Sequence, residues 1–269
     1  MEIKMQEAIE QFLDELRNME SPHLKDAEAC LEMFADYLIY YSDLFQDSEE
    51  MDEETLEEWE AALEGYVEKL FDGDTEDAPD LGSMPLSMLD AEYIRDFLGW
   101  YLLREPQMDS LALDSFVAVL QTWLDFIAQK KWLDGLALML LRESVREISS
   151  DASRAAKAAH LLLYYVRLGG GVSPRLRGKR FDAFVEGHAR IEQMDLEHKH
   201  VFLGFDNQHE HIGPISLPLE IIHYLQQGDV LDVEMGQRGG QWIIVDIGPV
   251  YPASIYMEAD ELKIPDKLT

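Results

Sequence analysis

Apolar residues in the first two thirds of the chain recur at the three-and-four spacing that places them on one side of a helix. Ile9, Phe12, Leu13 and Leu16 form one such stripe, and Leu31, Phe34, Leu38 and Tyr41 form a second. Tyr93, Phe97, Leu98, Tyr101 and Leu102 repeat the pattern, as do Phe116, Leu120, Trp123, Leu124 and Ile127. Leu133 to Leu141 is more continuously apolar, and Ala155 to Val166 reads as a helix rich in small residues. Ser21–Pro22, Asp90 with Glu92, and Ser150–Asp151 are the expected helix starts, since Ser and Asp cap orphan amides and Pro suits the first turn. The pattern predicts about seven helices, with Asp72 to Pro85 as an exposed loop.

Gly169–Gly170–Gly171 and Ser173–Pro174 end this regime. After them the apolar residues come in short alternating or β-branched runs: Phe184 to Gln193, His200 to Phe205, His211 to Leu217, Val230 to Met235, Gln241 to Ile247 and Val250 to Met257. These runs predict strands. Pro218 opens a short helix over Leu219 to Leu225, closed by Gly228–Asp229, and Arg238–Gly239–Gly240 predicts a tight hairpin into Trp242. The fold class expected is therefore α+β, an N-terminal all-α helical module followed by a small C-terminal β-barrel of OB-like or SH3-like type. The expected divisions are a helical domain over 1–170, a Gly/Arg-rich linker over 171–182 and the barrel over 183–269.

Charge separates the two parts further. The 269 residues carry 22 Lys+Arg against 54 Asp+Glu, a formal net charge of -32. Between Asp43 and Asp80 every charged residue except Lys69 is acidic. A field of that sign repels phosphate backbones, whose proteins bind through Lys and Arg, so duplex nucleic acid is an unlikely partner. The acidic run is either a solvated face that keeps the protein soluble or a docking surface for a basic protein, with Glu53 and Glu57 as partner-binding candidates. The opposite sign appears once, from Arg167 to Arg190, where Arg167, Arg175, Arg177, Lys179, Arg180 and Arg190 outnumber Asp182 and Glu186.

Candidate chemistry is sparse. His198, His200, His209 and His211 flank one predicted hairpin. A two-residue turn at Asp206–Asn207 would set His211 opposite Phe202 and His200 opposite Gly213. All four imidazoles would then share a face, with His200 diagonal to His211, close enough to hold a divalent metal. A turn one residue longer would put the pairs on opposite faces. Trp242 and Tyr251 are the aromatic candidates for a partner-binding patch on the barrel. Cys30 lies in an apolar stripe and His160 among alanines and leucines, which suits core residues better than reactive ones. The sequence lacks Gly-x-Ser-x-Gly, His-Glu-x-x-His, Gly-x-Gly-x-x-Gly and Cys-x-x-Cys, so no catalytic residue is assigned and no cofactor is expected beyond that metal.

A lone cysteine, an N-terminus without a basic-then-apolar leader, and apolar runs far shorter than a membrane span lead to the expectation of a cytoplasmic protein with no membrane partner. Phe12 to Leu16 followed by Ser21–Pro22–His23 resembles the opening of the helical core-binding domain of tyrosine recombinases. The chain has no later Arg, His and Tyr set to match, and it is acidic where that family grips DNA. The reading reached is a non-catalytic binding or adaptor protein whose acidic helical module docks a basic partner. Its alternatives are an RNA-associated protein using the barrel and the basic linker, and a metal-dependent enzyme built on the histidine hairpin.

Overall fold

The computed structural model describes residues 2–42, 81–106, 108–170, 180–205 and 211–256. The acidic run from Asp43 to Asp80, with Glu53 and Glu57, lies outside them, as do His209, the turn at Asp206 and most of the basic linker. The chain divides into two compact units, Met1–Leu89 and Asp90–Thr269.

In the first unit, α1 (Met5–Asn18) and α2 (Leu24–Tyr40) pack together. Met5, Ala8 and Phe12 face inward from α1, and Cys30, Leu31, Phe34, Tyr37 and Leu38 from α2. Tyr41, expected in the second stripe, is exposed, and Tyr37 is buried in its place. Cys30 is fully buried, and that burial pushes its thiol far above the usual range, so it is an inert core residue. The expected exposed loop is corrected over its described end. Leu81 and Met84 are buried because this segment pairs with the chain start: the Met5 amide donates to the Met84 carbonyl at 2.9 Å and the Leu86 amide to the Ile3 carbonyl at 2.9 Å. A single 3₁₀ turn, Leu86–Met88, follows.

The second unit begins with α3 (Ala91–Asp96), which runs on through a π-helical turn, Phe97–Tyr101, and a last helical turn, Leu102–Arg104. Helices α4 (Ser110–Lys130) and α5 (Gly135–Arg167) pack side by side. Asp90, Asp109 and Asp134 cap α3, α4 and α5 by accepting first-turn amides, at 2.8 to 3.0 Å. The helix start expected at Ser150–Asp151 is absent. No Gly or Pro interrupts the chain from Leu136 to Leu168, so one 33-residue helix runs through both apolar stretches. By length and composition α4 could cross a membrane. Half of its most apolar stretch is buried, however, and Leu113, Phe116, Leu120, Trp123, Leu124 and Ile127 are packed as in a core helix.

Strands β1 (Ala183–Asp195), β2 (His200–Phe205), β3 (Ile212–Ser216), β4 (Val230–Arg238) and β5 (Gln241–Tyr251) form one antiparallel sheet in the order β3-β2-β1-β4-β5. Short helices α6 (Leu219–Ile222) and α7 (Ala253–Tyr256) follow β3 and β5. The edge strands β3 and β5 approach each other, so the sheet curls into a half-barrel. Gly239 and Gly240, at φ 58° and 79°, make the β4–β5 hairpin that the sequence predicts; both positions fall where only glycine sits without strain. The two strands expected on either side of Gly248–Pro249 are one. A register shift between Leu231 and Val233 absorbs the extra residue, and a bulge is where a strand tolerates proline.

Helix α5 lies against β5 and α6, and a charge pair fixes the contact. Asp229, 0% exposed, takes both arms of the Arg154 guanidinium, Nη1 to Oδ2 at 2.6 Å and Nη2 to Oδ1 at 2.9 Å. Its oxygens also accept the amides of Gln226 at 2.7 Å and Ala253 at 3.2 Å, while Nη1 donates to the Tyr224 carbonyl at 2.9 Å. Burial opposes the charge on Arg154, but its bond and attraction to Asp229, with help from Asp151, outweigh burial and leave its pKa raised. An anchored carboxylate therefore ties α5 to the start of β4 within the second unit.

Candidate functional site

His200 and His211 sit on the outward face of β2 and β3, and His198 lies in the β1–β2 turn. Alternation along β2 buries Val201, Leu203 and Phe205 and turns His200, Phe202 and Gly204 outward. The register departs from the expected one. Leu203 faces Ile212 and His200 faces Ser216, so His211, one step beyond Ile212, lies level with Gly204 and not with Phe202. His200 and His211 share a face but stand four residues apart along it, roughly 13 Å at the rise of a strand. That is too far for a shared cation.

His198, His200 and His211 each have a local partner. His198 and His200 have ring centroids 6.1 Å apart at an interplanar angle of 22°. The Asp195 carboxylate accepts the His198 amide at 3.0 Å and meets its Nδ1 at 2.8 Å, closing the β1–β2 turn. These bonds hold the Asp195 carboxyl below its ordinary pKa, the backbone bond contributing most. His211 pairs with Glu192, which arches over Gly204 from the β1 bulge between Ile191 and Gln193. A Cβ at Gly204 would collide with the Glu192 carboxylate, so the glycine is what lets this pair reach across a strand. Among the described residues no three His, Cys, Asp or Glu side chains converge as metal ligands.

The aromatic candidates separate. Tyr251 is 3% exposed, with its ring edge-on to His188 at 5.8 Å, and belongs to the core of the sheet. Trp242 is partly exposed opposite Gln237, beside the hairpin. On the outward face nearby, the Arg238 guanidinium lies 3.7 Å from the centroid of Phe181, which contacts Phe184 at 4.6 Å. Phe184 is 57% exposed. Gly236 makes room for Phe181, which a Cβ there would strike. The repeated Phe and Arg beside a glycine in β4 are the sequence signal that could have pointed to this group.

Sequence reasoning did not single out two concavities among the described residues of the second unit. One, of about 380 Å³, runs between α3 and α5 and is lined by Ala91, Leu140 and Ile148 together with Glu92, Glu143, Glu147 and Asp151. The Ser144 hydroxyl donates to the Ala91 carbonyl at 2.8 Å and ties the two helices together there. Arg95 is the basic side chain in the lining, and its guanidinium donates to the Ser254 carbonyl. The other, about 540 Å³ and wider, lies between α4 and α5 and is lined by Ser110, Ser149, Ser150 and Ser153 with Asp114 and Lys157. The first can take an apolar group flanked by cations, and the second offers hydroxyls. The chain shows no significant match to any protein family model, to any curated protein or to any solved structure.

Proposed function

We propose that this protein is a non-catalytic, cytoplasmic binding or adaptor protein that recognises a basic protein partner through its acidic first unit. The observation that carries the reading is the distribution of charge. Residues 1–89 hold 27 acidic and 4 basic side chains, a net of -23, whereas residues 90–269 hold 27 and 18, a net of -9. Such a concentration steers a cationic partner over a Debye length of about 8 Å at physiological salt. Along α1 and α2, Glu10, Asp14, Glu32 and Asp36 are exposed while the opposite faces pack, so this surface is negative apart from the Asp43–Asp80 run as well. Glu53 and Glu57 lie within that run and are its assigned contacts. The test is a pull-down from cell extract at low and high salt, with nuclease treatment. Recovery of nuclease-resistant basic proteins that elute with salt is the expected result. Capture of nothing at low salt would refute the reading.

A second reading draws on the sheet. It takes the order β3-β2-β1-β4-β5, with a helix between β3 and β4 and edges that approach, as support for an OB-type barrel, a fold whose second and third strands commonly present a nucleic-acid surface. Here that face carries His200 and Phe202, and Arg190 lies across from Gly204. Loss of all captured material after nuclease would favour RNA association through this face over the adaptor reading.

A further inference from the structure

The exposed side chains of α5 line up with the groove beside it. Leu136, Met139 and Leu140 are 64%, 52% and 46% exposed, at the spacing of a single helical ridge. The same ridge continues through Glu143, Glu147 and Asp151, all of which line the groove against α3. From Leu136 to Asp151 this is about four turns, roughly 22 Å. The ridge is thus apolar at one end and acidic at the other, with Leu140 and Ile148 lining the concavity between.

Among the described residues the acidic end is only partly neutralised. Arg95 stands 3.9 Å from Glu92 and spends a donor on the Ser254 carbonyl, and Arg154, whose Nε lies 3.6 Å from Asp151, gives both arms of its guanidinium to Asp229. Arg146 is 70% exposed and shares itself between Glu143 at 3.2 Å and Glu147 at 3.8 Å. Exposed pairs of this kind are weak and yield readily to an incoming cation.

We infer that the α3–α5 groove and the Leu136–Met139–Leu140 ridge form a docking site for a basic amphipathic helix of a partner protein, about four turns long, with apolar residues towards one end and Lys or Arg towards the other. The inference rests on the adaptor reading but places a contact on the second unit. Charge complementarity selects this occupant. The acidic end repels an anionic membrane or a nucleic acid, and a purely apolar helix would desolvate four carboxylates while bringing no cation to them. The binding mode is an amphipathic helix laid in a groove, with anchors at three-and-four spacing.

The experiment titrates the full chain against a fluorescent 16-residue helical peptide carrying leucines at that spacing in one half and lysines in the other. Saturable binding by the wild type is expected. Leu136→Ser with Met139→Ser should weaken it about tenfold at every salt concentration, since both side chains are more than half exposed and their loss spares the fold. Glu143→Gln with Glu147→Gln should weaken it several-fold at low salt, and the deficit should vanish at high salt, where surface attraction is screened. Glu186→Gln with Glu197→Gln, both exposed and outside the groove, should leave it unchanged. If neither groove variant alters binding, or the peptide does not bind at all, the inference is overturned; the adaptor reading still stands provided that the pull-down recovers basic proteins. Binding to phosphatidylserine vesicles that requires Leu136 and Met139 would overturn it as well.

Discussion

The two units solve helix formation differently. In the second, α3, α4 and α5 each start on an aspartate whose carboxylate accepts first-turn amides. In the first, Lys4 and His23 stand at the corresponding positions of α1 and α2 and make no side-chain cap. The first unit also concentrates charge of one sign, and its described ion pairs, Arg17 with Asp14 at 2.5 Å and with Glu28 at 3.1 Å, are exposed and worth little. Residues 90–170, equally helical, hold 11 acidic and 9 basic side chains and are nearly neutral. Acidity is therefore no general property of the helical part. It is concentrated in residues 1–89, which carry a net of -23 against -9 for the longer remainder.

The contrast can be tested most severely at its anchor. Asp229→Ala would leave Arg154 buried without its partner, which should cost about 3–5 kcal/mol. Thermal unfolding should show a large downward shift confined to the second unit. Replacing both partners by apolar residues, Arg154→Met with Asp229→Leu, should recover much of the loss, because the penalty comes from the orphaned charge. If Asp229→Ala melts like the wild type, the carboxylate is not what joins α5 to the sheet.

A smaller effect separates the helix starts. Asp134→Ala removes a cap and should cost about 1 kcal/mol in chemical denaturation. His23→Asp supplies one to α2 and should gain a similar or smaller amount, reduced by repulsion within an already negative unit. Equal and opposite shifts would mean that the charge surplus does not burden the first unit.

The smallest effect concerns the β1–β2 turn. The Asp195 carboxyl titrates below its ordinary value, so its contribution to the turn is complete at neutral pH and fades as the pH falls through its folded-state value. Carboxyl titration followed by NMR should show Asp195 midpoint lowered and the His198 amide shifting with it. An ordinary midpoint would show that the turn is held by other contacts.

Much of the architecture was legible locally. The strands β1, β2 and β3, the Gly239–Gly240 hairpin and the core faces of α2, α3 and α4 follow from periodicity and turn chemistry, because each depends on neighbours within a few residues. What periodicity misjudged was continuity. It broke α5 at Ser150–Asp151 and β5 at Gly248–Pro249, where local composition permits an end that packing does not require.

The sites depended on distance in sequence. Whether His200 and His211 meet turns on the β2–β3 register, which a bulge in β3 alters, and a shift of two positions separates them. Tyr251 looked available because aromatic residues serve cores and surfaces alike, but it is buried, with its ring against His188. Composition, charge placement and the switch from helical to strand periodicity were determined by the sequence alone, since they are sums or short-range patterns. The Arg154–Asp229 anchor joins residues 75 positions apart, and the groove joins α3 to the middle of α5. Only the tertiary structure could decide these, because no local energy term records which distant surfaces will be pressed together and which carboxylates will lose their water.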